Sequence, residues 1–244
     1  MTSTPLLPGL SIVLPCYEEE GNVARAISTA ADAAACVASE FEIIVVDDGS
    51  SDRTSEIASR FVTGSGRVRL LVHPENRGYG AALRTGLEAA RMPWVLIADA
   101  DLQFDFDELG DFASLTESAD LVAGRRVDRQ DPFGRRMNAA AWNWLMRTLF
   151  DLPVSDVDCA FKLIRRELLD EVALTSTGAL FSTELLIACR AQGARIVEHD
   201  VRHRPRVAGE PSGGRLSVIA RAFGELAREY ASLRTLSRVP RAQP

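Results

Sequence analysis

The chain has 244 residues, of which 46% are hydrophobic, 25% charged and 7% aromatic, a composition that excludes a disordered, collagen-like or disulfide-scaffold protein. At this length one large α/β domain or two small ones can bury most of their apolar surface without an external staple. The net charge of −6 is uneven, because residues 201–244 hold nine Arg and three Glu while the first 200 carry −12; this argues against nucleic-acid binding by the body but suits the tail to phosphates or an anionic lipid surface.

The N-terminus, MTSTPLLPGLSIVLP, lacks the basic region and long apolar core of a signal peptide, and no stretch of eighteen apolar residues follows. A cytoplasmic protein is expected. SIVLPC (11–16), FEIIVVDD (41–48), RVRLLVH (67–73) and WVLIADAD (94–101) are short aliphatic or β-branched runs, apolar enough to be parallel strands covered on both faces. Between them the pattern predicts helices over about 20–38, over 52–63 with a Ser51/Asp52 cap signal, and over 79–91. Alternating strand and helix is the signature of a doubly wound, mostly parallel sheet with right-handed crossovers.

The second half is less regular. A helix near 105–117, a strand at DLVAG (120–124), an Arg-rich loop and a helix over 134–150 come first. A short strand around 160–165, helices near 166–173 and 181–191 and a strand at 194–201 follow. HRPRVAGEPSGG (203–214) reads as a mobile loop. A last helix over 215–236 sets Ile219, Phe223, Leu226, Tyr230 and Leu233 on one stripe. Cys16, Cys36, Cys159 and Cys189 are scattered without a CxxC or Cys/His cluster, which suggests neither a zinc site nor disulfides. The one lysine, Lys162, stands against 27 Arg; base composition of the genome is the plain account, although Arg also suits bidentate phosphate contacts.

Ligands of open α/β sheets sit beyond the carboxyl ends of the strands. PCYEEE (15–20), DDGSSD (47–52), HPENRGYG (73–80) and DADLQ (99–103) are the polar clusters expected at that edge. In DADLQ, Asp99 and Asp101 are two apart, so in an extended segment both carboxylates share one face. With the Gln103 carbonyl they suit Mg²⁺ or Mn²⁺ carrying substrate phosphates; the alternative is that they cap a helix starting near Asp105. Ser51 and Asp52 suit an N-cap, whereas Asp47 and Asp48, at the end of a buried strand, need solvent or a partner such as a base or ribose hydroxyl. NRGYG is either a phosphate-cradling glycine loop or a simple turn, and matches neither the dinucleotide fingerprint nor the Walker sequence. No GxSxG elbow is present, and His73, His199 and His203 form no HExxH or triad-like pattern.

LPCYEEEGNV, IIVVDDGSSDRT, NRGYGAALRTGL, IADADLQ, LVAGRR and DVDCAFKLIRREL, in this order and spacing, resemble the family 2 inverting glycosyltransferases. The resemblance covers about residues 11–214 and is strongest to the polyprenyl-phosphate (dolichol-phosphate) mannosyltransferase group. It implies a Rossmann-like GT-A fold over residues 1–214, followed by a basic amphipathic segment over 215–244. It also implies residue roles. Pro15, Tyr17 and Glu19 would border the nucleotide, with Asp47 at the base, Asp48 nearby, and Asn76 and Gly78 also toward the donor. Asp99, Asp101 and Gln103 would bind Mg²⁺ or Mn²⁺ and the donor diphosphate. Arg125, after the glycine of a GSR-like motif, and Arg135 or Arg136 would attract phosphate. Arg206, with Gly209 and Ser212, resembles a loop closing over the site, and Asp101, Arg125 and Arg206 are the candidate catalytic residues. Three departures stand out: Glu18 replaces the family's Asn in PxYNE, Ala160 replaces the commoner Gly before Phe161, and the closing loop has an extra residue before Ser212 and no Lys after it.

The implied reaction moves a hexose from GDP-mannose or UDP-glucose to a polyprenyl phosphate. Such an acceptor is already ionised, so no strong general base is required. A hydroxyl acceptor would need one, for which Asp156, Asp158 and Glu184 are candidates beside a structural capping role; a non-catalytic sugar-nucleotide binder is a third alternative. The tail helix, with Arg215, Arg221, Arg228, Arg234 and Arg238, either lies peripherally on a membrane's cytoplasmic face or docks on protein. The helix carrying Trp142 and Trp144 offers a further interfacial surface beside plain core packing.

Overall fold

The computed structural model describes residues 5–127, 133–170, 172, 174–178, 180–205 and 216–237. Among them are β1 (Leu10–Cys16), β2 (Phe41–Asp47), β3 (Val68–Val72), β4 (Trp94–Ile97), β5 (Leu121–Val127), β6 (Lys162–Arg165) and β7 (Ile196–Arg202), joined in one sheet of order β3-β2-β1-β4-β6-β5-β7. The first four strands are parallel, as their unbroken apolar runs predict. β6 is antiparallel to both β4 and β5, so β5 and β7 run in the direction of β4. This antiparallel insertion was not legible in the sequence, where 160–165 reads only as a short strand.

Those runs are apolar throughout because alternate residues enter two separate cores. Ile12, Leu14, Ile43, Val45 and Leu96 pack with Val23, Ala26, Ile27, Ala30 and Ala34 of α1 (Val23–Val37). Val13, Ile44, Val46, Val95 and Ile97 pack with Leu83 and Leu87 of α3 (Tyr79–Ala89) and with Leu185 and Leu186 of α7 (Phe181–Ala191). Each such aliphatic side chain contributes about 1.5–3 kcal/mol by leaving water. Gly86 brings the α3 backbone onto the sheet, where a Cβ would overlap the Val13 side chain.

Several boundaries differ from expectation. Helix α2 is confined to Thr54–Ser59, and the chain then turns toward Gly66 at φ 67°. In place of one helix over 105–117 there is a 3-10 turn at Phe106–Glu108, α4 (Leu109–Ser114) and a second 3-10 turn at Leu115–Glu117. The Asp105 carboxylate opens this stretch by accepting the Asp107 N–H at 3.2 Å. Helices α5 (Phe133–Phe150), α6 (Glu167–Asp170) and α8 (Leu216–Ser237) complete the described elements. The stripe expected on α8 is divided: Leu226 and Leu233 are buried in the core shared with α7, whereas Phe223 and Tyr230 are 49% and 37% exposed. Docking on the domain therefore accounts for Leu226 and Leu233 of the apolar face that a membrane would otherwise cover, and the side chain of Ile219 lies outside the description. Among the described residues no helix is long and apolar enough to cross a membrane.

Asp120 clamps the amino ends of β5 and β7 to the carboxyl end of β6. Its carboxylate accepts from the Arg195 N–H and Nε, both at 3.0 Å, and from Arg165 Nε at 3.1 Å. The Arg195 hydrogen bonds, first, hold its pKa down at about 2. A depressed carboxylate stabilises the fold above its unfolded pKa of about 4 and loses that contribution as pH falls toward 2. Asp120→Asn is expected to lower stability by about 1–2 kcal/mol at pH 7, with Arg195 exposure discounted. The deficit should shrink as pH falls below about 4 and be gone only below about pH 2, as read by denaturant melts across pH; an equal loss at every pH would contradict this.

Candidate functional site

The carboxyl ends of β1 to β5 and β7 lie on one edge of the sheet, together with the turn that leads into β6. β1 has β2 on one side and β4 on the other, so the winding reverses there and opens the crevice in which such sheets bind ligands. All four loops singled out in the sequence converge on this edge.

Two of them are knitted together. Glu18 holds the left-handed backbone, φ 56°, that favours Asn over Glu, and its carboxylate accepts the Ser51 N–H at 2.9 Å and hydroxyl at 2.8 Å. The Glu19 N–H reaches the Thr54 hydroxyl at 2.8 Å and the Glu20 N–H reaches Asp52 at 3.0 Å. Asp52 also accepts the Thr54 N–H at 2.9 Å, but the residue at the N-cap of α2 is Arg53, without a side-chain cap bond, so the Ser51/Asp52 cap read from the sequence is displaced by one position. Pro15 is buried within β1, while Tyr17, 50% exposed, and Asn76 stand on the rim.

The partners required by buried Asp47 and Asp48 come from the chain itself. Asp47 takes the Ser50 N–H at 3.1 Å, the Ser50 hydroxyl at 2.5 Å and the Ser55 hydroxyl. Asp48 meets His73 Nδ1 at 2.6 Å and accepts the N–H groups of Arg77 at 3.0 Å and Gly78 at 2.8 Å. Asp48 thereby sets the conformation of NRGYG, in which Gly78 adopts φ 97° immediately before α3.

The acidic pair is assembled differently from the expected extended segment. β4 stops at Ile97, and Asp99 and Asp101 follow in a turn that includes Leu102 at φ 63°; the turn, rather than strand alternation, brings them together. Tyr79 donates its hydroxyl to Asp99 at 3.0 Å, and the Gln103 N–H donates to Asp101 at 3.1 Å. The cap of the following helical stretch is Asp105, so that alternative is not what the pair does. Burial, and then the charge of Asp99, push Asp101 up to about 7. Burial also raises Asp99, against the Tyr79 hydrogen bond and the positive charges of Arg126 and Lys162.

Two neighbouring carboxylates driven to take up a proton or a cation are suitable donors for a hard divalent ion. Among the described residues no three Asp, Glu, His or Cys side chains gather as a closed cage. The set is thus two carboxylates and the Gln103 amide, which leaves positions for phosphate oxygens, the arrangement Mg²⁺ or Mn²⁺ commonly takes with a nucleotide. Gln103 Nε2 donates to the Arg204 carbonyl at 3.0 Å and the Arg204 N–H donates to the Gln103 carbonyl at 2.8 Å. The side-chain oxygen is the acceptor of that amide left for a cation. Arg206, Gly209 and Ser212 lie outside the described residues.

The two adjacent arginines of LVAGRR go to different places. Arg125 is half-exposed and pairs with Asp200, its register partner on β7, at 2.6 Å. Arg126 is the one brought to the acidic site. It donates through Nε at 2.7 Å and Nη2 at 2.6 Å to Asp156, and its charge is felt at Asp99. Glu198 fixes the Asp156 turn by accepting the Ser155 and Asp156 N–H groups at 2.6 and 2.9 Å. Lys162, 1% exposed, donates to the Val157 carbonyl at 3.0 Å and to that of Cys159. The importance of Arg126, Tyr79 and Lys162 was missed in the sequence; for Arg126 the available signal was that consecutive strand residues face opposite ways.

Of the base candidates, Asp156 is engaged by Arg126, and Glu184 accepts the backbone N–H groups of Thr175 and Ser176. Asp158 is pushed up to about 6 by burial, against the pull of Lys162 and Arg126. Beside Arg126 opens a cleft of about 580 Å³, lined by Arg125, Arg126, Arg136 and Arg147 and by Met137 and Trp144 of α5. Arg136 is thus one of the residues lining this cleft, while the side chain of Arg135 is outside the description. Met137 and Trp144 are 56% and 66% exposed.

The family model for glycosyl transferase family 2 matches residues 11–173. The chain belongs to that family. This family 2 glycosyltransferase is 32% identical over 205 residues to an uncharacterised glycosyltransferase of Mycobacterium tuberculosis (strain H37Rv), covering 82% of this chain and 88% of the relative. It is 30% identical over 218 residues to the undecaprenyl-phosphate 4-deoxy-4-formamido-L-arabinose transferase of Aeromonas hydrophila, covering 86% of this chain but only 64% of that longer relative. Among solved structures, glucosyl-3-phosphoglycerate synthase of Mycobacterium tuberculosis, crystallised with Mn²⁺, UDP and phosphoglyceric acid, superposes with a TM-score of 0.69 at 21% identity, covering 96% of this chain and 80% of the other. The sheet and its flanking helices are of the GT-A type.

Proposed function

We propose that this glycosyltransferase moves a hexose from a GDP- or UDP-hexose to the phosphate of a polyprenyl phosphate, with inversion at the anomeric carbon. Mannose from GDP-mannose and glucose from UDP-glucose are the first donors to test. The observation that carries this is the shielded Asp99–Asp101 pair set beside an arginine-lined cleft, with Arg126 common to both. The name of the Aeromonas relative, a transferase to undecaprenyl phosphate, supports the acceptor class.

Asp99, Asp101 and Gln103 would hold Mg²⁺ or Mn²⁺, which when bound supplies charge neutralisation for the departing diphosphate. Pro15, Tyr17, Glu19, Asp47, Asp48, Asn76 and Gly78 form the donor wall, with the Tyr17 ring free to meet the base. Arg125, Arg135 and Arg136, with Arg147, would attract the acceptor phosphate, and Arg206 and Ser212 are assigned to binding it. An ionised phosphate attacks without a general base, so these residues need only align it behind the anomeric carbon and exclude water. Incubation with a panel of nucleotide hexoses, Mn²⁺ and a short-chain polyprenyl phosphate, followed by mass spectrometry, tests the assignment: a glycosyl phospholipid supports it, and donor consumption only with a hydroxyl acceptor overturns it. The raised pKa of Asp158 favours that second reading, since a carboxylate tuned upward is a better proton acceptor near neutral pH.

Peripheral membrane contact falls on α5 rather than on the docked face of α8. Trp144 and Met137, flanked by Arg136 and Arg147, present an apolar strip with a cationic border beside the cleft. Trp144→Ser is expected to weaken binding to anionic liposomes by roughly tenfold, the effect of about 1.4 kcal/mol of lost indole burial. Equal recovery of both proteins in a flotation assay would remove α5 from the interface.

A further inference from the structure

We infer that residues Leu174–Gly178 are a strap that positions the glycine loop of the donor site, and that Glu184 of α7 and Glu229 of α8 are the positioning residues that hold it. This rests on the proposed assignment of NRGYG to the donor.

The strap touches the loop backbone to backbone. The Gly80 N–H donates to the Thr177 carbonyl at 2.9 Å. A Cβ on Gly78 would stand 2.7 Å from the Thr177 oxygen, and one on Gly80 would stand 2.7 Å from that of Ser176, so only glycines admit this approach. Arg84 of α3 adds a hydrogen bond to the Leu174 carbonyl at 2.8 Å.

On its other side the strap is gripped by carboxylates. Glu184, 4% exposed, accepts the Thr175 N–H and hydroxyl, each at 2.9 Å, and the Ser176 N–H at 2.8 Å. Glu229 accepts the Ser176 hydroxyl at 2.5 Å. Gly178 lies so close to the Glu225 carboxylate that a side chain there would overlap it. A buried carboxylate such as Glu184 is stable when N–H and O–H groups converge on it, and here those groups belong to the strap.

From the glycine loop the connection continues to the acidic pair, because the Gly78 N–H donates to Asp48 and the Tyr79 hydroxyl to Asp99. The C-terminal helix is thus mechanically part of the donor site although it contributes no side chain to it. Loosening the strap should spoil the rest position of the Gly78 and Tyr79 donors, which affects donor binding more than the chemical step.

The experiment uses the full chain with Ser176→Ala, Glu229→Leu, Glu229→Gln and the Ser176→Ala/Glu229→Leu double variant. Hydrogen exchange of the Gly80 amide should be about fivefold faster in the first two, with β1 amides unchanged, as loss of one hydrogen bond of about 1 kcal/mol implies. Glu229→Gln should restore slow exchange, since its amide oxygen still accepts the Ser176 hydroxyl, and the double variant should be no worse than either single one. The Kd for UDP or GDP, each titrated with Mn²⁺, should rise about threefold to tenfold with kcat within twofold. Unchanged Gly80 exchange, or Glu229→Gln as loose as Glu229→Leu, would overturn the strap whatever the nucleotides do. Faster exchange with an unchanged Kd would overturn its link to the donor. Failure of the wild-type protein to bind either nucleotide would instead overturn the donor assignment itself, and the donor part of this inference with it.

Discussion

Asp101→Asn is expected to lower sugar transfer by about 10³-fold or more, while the apo protein melts at the wild-type temperature or slightly above it. A cation that neutralises a leaving diphosphate is worth several kcal/mol in the transition state, and each 1.36 kcal/mol is about tenfold in rate. Asn keeps the shape and can still accept the Gln103 N–H, but removes one of the two charges. Stability should not suffer, because the carboxylate sits where burial and Asp99 already disfavour its ionised form. Initial rates over a Mn²⁺ series, paired with thermal melts, give both numbers. Activity within tenfold of wild type at saturating Mn²⁺ would remove Asp101 from the metal set, and a collapse of the melting temperature would make its role structural.

Arg126→Met should have the opposite profile, a loss of fold as well as of activity. The guanidinium and Asp156 side chains are 14% and 7% exposed and joined by two short hydrogen bonds, with the Arg126 N–H adding a third at 3.1 Å. Removing one member of a buried pair leaves the other charge uncompensated, at a cost of about 3–5 kcal/mol. For a chain of this size that corresponds to a fall of roughly 10 °C in melting temperature. The control is Arg125→Met: its pair with Asp200 is half-exposed, and such pairs contribute about 0–1 kcal/mol. If the two variants melt together, the distinction between the adjacent arginines is wrong. If Arg126→Met melts low but transfers sugar normally once folded at low temperature, Arg126 supports the turn and not the site.

The sheet could be read from the sequence where one physical rule dominated. Runs such as SIVLPC and FEIIVVDD are apolar at every position because two cores cover them, and that alone marks the first four strands and their parallel order. The place of β6 depends on pairing with Ile97 and Ala123, residues far away in sequence, and no local pattern reports it. Helix α8 shows the same limit in another form. Its stripe is amphipathic whether it meets lipid or protein, and only the burial of Leu226 and Leu233 separates the two for those residues.

Site residues divide in a similar way. The DADLQ loop could be singled out in the sequence because paired carboxylates follow an apolar strand, although what brings them together is a turn with Leu102 in the left-handed region and not strand alternation. Asp47 and Asp48 show why a buried carboxylate is an ambiguous signal: Ser50, Ser55, His73 and the N–H groups of Arg77 and Gly78 satisfy them within the chain. Glu184 looked like a candidate base by residue type alone, whereas its oxygens are taken by Thr175 and Ser176. In each case the deciding partner lies on another element, beyond the reach of local spacing.

Electron paramagnetic resonance of Mn²⁺ titrated into the wild-type chain and the Asp99→Asn variant, with and without UDP or GDP, tests the divalent-cation site most directly. The expected result is one nucleotide-dependent Mn²⁺ per wild-type chain and loss of that signal in the variant at equal protein and nucleotide concentration. Undiminished Mn²⁺ binding by Asp99→Asn, or no nucleotide-dependent Mn²⁺ in the wild-type protein, would contradict it.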